Sequence, residues 1–150
     1  VSRIVVLAAG NDARGDDGIG PALAARLAAQ RLPELTVIEA FQFQVEHALD
    51  LDGAEAVLFI DAHHSQTEDA LLAPLVSAAR VGVASHALTP AEVLCVRRQL
   101  GEALPPSWLL SVRGEDFRLG EPLSVGGERH VEAAWRLLVD WLARRSVLVA

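Results

Sequence analysis

Apolar positions in this chain come in short blocks, and the spacing between them changes from block to block. Residues 3–9, RIVVLAA, form a β-branched run that stops at Gly10. Ile19, Leu23 and Leu27 then recur every four residues, which is the spacing of one helix face. This predicts strand, turn and helix in that order. TVIEA (36–40) is a second apolar run, VEHALDL (45–51) a short helical candidate, EAVLFIDA (55–62) a third strand carrying Asp61 at its end, and SWLLSVRG (107–114) a fourth. A further strand is expected to end near Ala84. Near-continuous apolar strands separated by helical segments predict an α/β fold, a mostly parallel sheet with helices on both faces.

The best-defined helix start is at Thr89, because Thr89, Pro90 and Glu92 supply the hydroxyl, the first-turn proline and the third-position carboxylate of a capping box. The last helix, roughly 127–145, puts Val131, Trp135, Leu138 and Trp141 or Leu142 on one stripe, which predicts packing on the sheet. The preceding stretch 115–127, EDFRLGEPLSVGG, reads as a long polar loop. No repeat, low-complexity tract or linker interrupts the chain, so residues 1–150 are expected to form a single domain.

Composition narrows the partners. Apolar residues make up 51% of the chain, ample for a core, and the net charge is −7. All 13 basic residues are arginine and none forms a polybasic segment, so neither nucleic acid nor an anionic membrane is an expected partner. No apolar run reaches the roughly 18 residues of a membrane span, and the first strand follows directly without a charged leader pattern; the expected location is the cytosol. The single cysteine, Cys95, excludes an internal disulfide and a multi-cysteine metal cage, and is expected to pack in the core.

The turn NDARGDDGIG (11–20) carries the most chemistry. A glycine-rich strand-to-helix turn usually holds an anion, because helix N-terminal amides favour negative charge. This one is neither GxGxxG nor GxxxxGK[ST], and Asp16 and Asp17 would repel a phosphate by an amount on the order of several kcal/mol if desolvated. A nucleotide is therefore the wrong guest. One aspartate could simply cap the helix. Against that stands Asp61, at the carboxyl end of another parallel strand, the edge where open α/β sheets place ligands. Asp17 and Asp61 are thus expected to face each other across one crevice.

His86 lies three residues before Thr89, where strand gives way to helix. With the two carboxylates it makes an oxygen, oxygen, nitrogen set suited to a borderline divalent metal with open positions, or to general-base activation of water. His63 and His64, directly after Asp61 and Ala62, are rivals for the same role.

AGNDARGDDGIG, FIDA, SHALTPAEVL and VRGEDFRLGEPLS with a closing amphipathic helix, taken in order over about residues 3–145, resemble the hydrogenase maturation endopeptidases. These proteases trim the C-terminus of the nickel-iron hydrogenase large subunit. The resemblance implies a three-layer α/β/α sandwich of the phosphorylase/hydrolase-like kind and a cut made after nickel has entered the precursor. It also implies that Asp17, Asp61 and His86 converge on a metal, with Asp17 and Asp61 catalytic and Asp16 the flanking acid. Two positions depart from the family pattern. Ala8-Ala9-Gly10-Asn11 stands where Gly-Ile-Gly-Asn is frequent, and Asp17 where Glu is frequent.

An amide needs a nucleophile, a polarised carbonyl and a proton for the leaving nitrogen. No Ser-His-Asp signature and no HExxH motif is present. The expectation is an endopeptidase, metal-assisted or aspartic in type, that uses nickel supplied by its substrate, the hydrogenase large-subunit precursor, and holds no organic cofactor tightly. The alternatives are a non-hydrolytic nickel-sensing chaperone or binding module of the same fold, and a small doubly wound hydrolase or nucleotide-binding protein.

Overall fold

In the computed structural model, residues 3–82 and 87–150 are described. The five apolar segments that can satisfy their backbone in a ladder assemble into one sheet: β1 (Ile4–Ala9), β2 (Leu35–Ala40), β3 (Ala56–His63), β4 (Ala70–Pro74) and β5 (Ser107–Arg113), in the order β2-β1-β3-β5-β4. The β2-β1, β1-β3 and β3-β5 pairs are parallel, and β4 runs antiparallel to β5 at the edge. The helices are α1 (Ile19–Ala28), α2 (Pro90–Gln99) and α3 (Val125–Ala143), with 3-10 segments at Gly15–Gly18 and Val45–Leu51.

Period-two alternation divides the strand residues between two cores. Ile4, Val6, Ala8, Leu58, Ile60, Leu110 and Val112 face α1 and α3, meeting Ile19, Leu23, Leu27, Val131, Leu138 and Trp141. Val5, Leu7, Ala9, Val57 and Phe59 face the opposite layer, where Ala48, Leu51, Val93 and Leu94 cover them. The structure is therefore the three-layer α/β/α arrangement expected. The helix-face spacing of Ile19, Leu23 and Leu27 holds, since all three are buried. On α3, Val131, Leu138, Trp141 and Leu142 are buried and Trp135 is half-buried. Cys95 is fully buried, as core packing requires.

Two element assignments change. The edge strand is Ala70–Pro74, whereas the strand expected to end near Ala84 does not form over residues 75–82, and residues 83–86 lie outside the described chain. Pro74 and the exposed Leu71 weaken the strand pattern there, which is tolerable because an edge strand needs only one ladder. The loop from residue 115 also ends earlier than the composition suggests. Ser124 caps α3 by accepting from the Gly127 amide, so the helix opens at Val125.

From β1 the chain moves to β2 on one side, and from β2 to β3 on the other. The connections cover opposite faces, α1 on one and the 45–51 segment on the other. Between β1 and β3 their departure leaves a crevice at the carboxyl ends of the strands, the topological switch point of an open sheet.

Candidate functional site

Both expected carboxylates come to that crevice. Asp17 follows β1 through Gly10 and the 3-10 turn, and Asp61 sits near the end of β3, paired in register with Ser111. The alternation of β3 puts Asp61 on the side of Val57 and Phe59, the layer of α2. The two acids line one cleft of about 130 Å³ with Gly10, Phe41, Phe43 and Leu88 among its walls.

Neither aspartate of the turn caps the helix. The N-cap of α1 is Gly18, without any side-chain capping bond. Asp17 instead accepts from the Asn11 amide through Oδ2 at 2.8 Å, which ties its carboxylate to the end of β1. Gly10 makes this turn possible: its φ is +152°, and a Cβ there would collide with the Asp17 carbonyl oxygen.

Asp61 is half-buried, and burial pushes its carboxyl up to about 6; the negative charge of Asp17 adds to the rise, and a hydrogen bond from the Ala62 amide opposes it. A carboxylate with that acidity exchanges protons near neutral pH, as a general base must.

Asp16, the flanking acid, points the other way and is fully buried. Its Oδ2 accepts from the Glu115 amide (2.7 Å), the Asp116 amide (3.2 Å) and the Ser124 hydroxyl (2.7 Å), and its Oδ1 from the Ser124 amide (2.8 Å). Burial alone would raise its pKa, but these bonds together outweigh it and hold the carboxyl below the ordinary aspartate value. Sequence reading assigned Asp16 no such task. The signal available for it was the Ser124-to-Gly127 capping pattern in the loop that receives it.

The histidines separate. His86 lies outside the described residues, while Ala87 and Leu88, next in sequence, line the cleft, and the Leu88 amide donates to Phe43 O at 2.8 Å. His63 and His64 are exposed, stack on each other with centroids 5.5 Å apart, and are not among the cleft's lining residues. His63 Nδ1 accepts from the Ser65 amide at 3.2 Å, and His64 meets the edge of Phe117. Among the described residues, no three histidine, cysteine or acidic side chains gather as a cation site. The pair Asp17 and Asp61 is what the described chain contributes.

No family model and no curated protein matches this chain. Solved structures do. The hydrogenase maturating endopeptidase HybD from E. coli superposes with a TM-score of 0.77 at 20% identity, over 97% of this chain and 95% of that one. The [NiFe] hydrogenase maturation protease HycI from Thermococcus kodakarensis KOD1 gives 0.72 at 25% identity, over 95% and 93%. A hydrogenase 3 maturation protease gives 0.65 at 21%, over 94% and 92%. The resemblance to the hydrogenase maturation endopeptidases thus extends from short motifs to the fold of nearly the whole chain.

Proposed function

We propose that this chain is a hydrogenase maturation endopeptidase that removes the C-terminal extension of a nickel-iron hydrogenase large-subunit precursor after nickel insertion. The observation that carries this reading is the carboxylate pair, Asp17 and Asp61, in one cleft at the switch point of a sheet shared with proteases of that kind.

Peptide hydrolysis here starts from water held between the two acids. Asp61, ionised above about pH 6, takes a proton from that water and later returns it to the leaving nitrogen. Asp17, tied to the Asn11 amide through one oxygen, keeps its other oxygen for the cleft. Nickel belongs to the substrate in this scheme. Two carboxylates and an imidazole suit a borderline divalent ion, so Asp17, Asp61 and His86 recruit the loaded precursor by completing the coordination of its nickel. His86 is assigned this part because the residues after it, Ala87 and Leu88, line the cleft. The absence of soft ligands from this set keeps nickel with the precursor rather than with the protease.

The test is to incubate the protein with an unprocessed, nickel-loaded precursor and follow the precursor's mass. Loss of a C-terminal segment is the expected result. Binding of the loaded precursor without any loss of mass would mean a nickel-sensing chaperone instead.

A further inference from the structure

Among the described residues Asp16 is the only buried carboxylate, and it does not line the cleft. A buried acid is tolerated only where hydrogen bonds replace its water. Those bonds come from a single distant loop, 115–124, and from the residue that caps α3. The same loop also holds the backbone at Asp16 and in the residues just before it. The Asp16 amide donates to Asp116 O at 2.7 Å, the Gly15 amide to Glu121 O at 2.8 Å, and the Gly120 amide to Ala13 O at 2.7 Å.

The turn that carries Asp17 needs such a frame. Gly15–Gly18 is a short 3-10 segment leading into α1, closed locally by the Asp17 amide on Arg14 O at 3.1 Å and the Ile19 amide on Asp16 O, and 3-10 bonds are poorly aligned. One turn of this kind does not fix its own direction. Asp17 must nevertheless present one oxygen to the Asn11 amide and leave the other for the cleft. The space around Asp16 is closely filled: a Cβ at Gly127 would collide with its carboxylate, and a Cβ at Gly114 would crowd its Cβ at 3.1 Å.

We propose that Asp16 is the positioning residue of the site, a carboxylate that clamps the 115–124 loop onto the 3-10 turn and thereby sets where the Asp17 carboxylate points. Asp16 touches no substrate; it acts through Asp17. Its effect on cleavage rests on the proteolytic reading above, whereas its effect on Asp17 does not.

The experiment compares Asp16→Asn, Ser124→Gly and Ser124→Thr with the wild-type protein. Asparagine keeps the shape but offers an NH2 where an acceptor stood. Glycine keeps an acceptable helix cap and removes the hydroxyl donated to Asp16, and threonine restores that hydroxyl. The first readout is the NMR resonance of the Asn11 amide, with Asp17→Ala as the reference for an amide released from its carboxylate. In Asp16→Asn it is expected to move at least about halfway to that reference, with a smaller move in Ser124→Gly and none in Ser124→Thr. The second readout is precursor cleavage, where kcat should fall about tenfold or more in Asp16→Asn with KM within about twofold of wild type. A purely structural role would lower the melting temperature and leave both readouts unchanged well below it. An unmoved Asn11 resonance in folded Asp16→Asn overturns the proposal; if that variant does not fold, an unmoved resonance in Ser124→Gly does. A wild-type protein that cleaves no precursor would overturn the proteolytic reading and leave the resonance to decide the positioning role.

Discussion

Asp17 and Asp61 share one cleft as like charges: burial pushes the Asp61 carboxyl up to about 6, and Asp17 across the cleft adds to the rise. The folded state therefore holds a proton on Asp61 that the unfolded chain gives up near its ordinary value of 3.8. Between roughly pH 4 and 6 the unfolded state loses that proton first, so this residue's contribution to stability declines as pH rises, and levels off above 6. Asp61→Asn removes the cost. It is expected to stabilise the protein at pH 7–8 by about 1–2 kcal/mol, discounted because the cleft is partly open to water, and to make no difference at pH 4. Urea denaturation of both proteins at the two pH values measures this directly.

The same acidity should show in the reaction. Processing that depends on ionised Asp61 falls away below about pH 6. Asp17→Asn and Asp61→Asn should each reduce processing by about a hundredfold or more while circular dichroism stays that of the wild type. A loss below about tenfold in either variant would show that its carboxylate is dispensable to the chemistry.

Asp16→Asn, although Asp16 only flanks the site residue, is expected to be the destabilising substitution of the three. It loses a buried, multiply bonded charge, at a cost of about 2–4 kcal/mol. Because the Asp16 pKa is lowered in the fold, its stabilisation is present above the ordinary aspartate value and is lost as pH falls through the lowered one. The variant's stability should accordingly be flatter than wild type on the acid side in a denaturation series from pH 7 to 3. Gly127→Ala should reproduce much of the loss at neutral pH, since its methyl group enters the space of the Asp16 carboxylate.

Recruitment by substrate-borne nickel predicts a difference between two substrates. The isolated protein should bind nickel weakly, yet cleave the nickel-loaded precursor at least about tenfold faster than the empty one, because an ion completed by both partners is held better than by either. His86→Ala should narrow that ratio. Equal rates on loaded and empty precursor, measured side by side, would leave the acids to activate water without any recruiting role.

Local chemistry made much of this protein legible in the sequence. The apolar runs of β1, β3 and β5, the four-residue spacing of Ile19, Leu23 and Leu27, and the Thr89-Pro90-Glu92 cap each depend on neighbours a few positions away, and each forms as read. The crevice followed as well, because parallel strands and short turns bring Asp17 and Asp61 to the same sheet edge. The edge strand Ala70–Pro74 was not legible, since the ladder that holds it comes from β5, more than thirty residues later in the chain. Local chemistry did not tell Asp16 from Asp17; only the family resemblance put Asp17 in the site and left Asp16 flanking it. Adjacent residues of a 3-10 turn point about 120° apart, so one of the two acids must turn inward and the other toward the cleft. Which does which was decided by a loop whose amides begin 99 residues after Asp16, where Gly127 leaves room for one carboxylate and Ser124 supplies its donors.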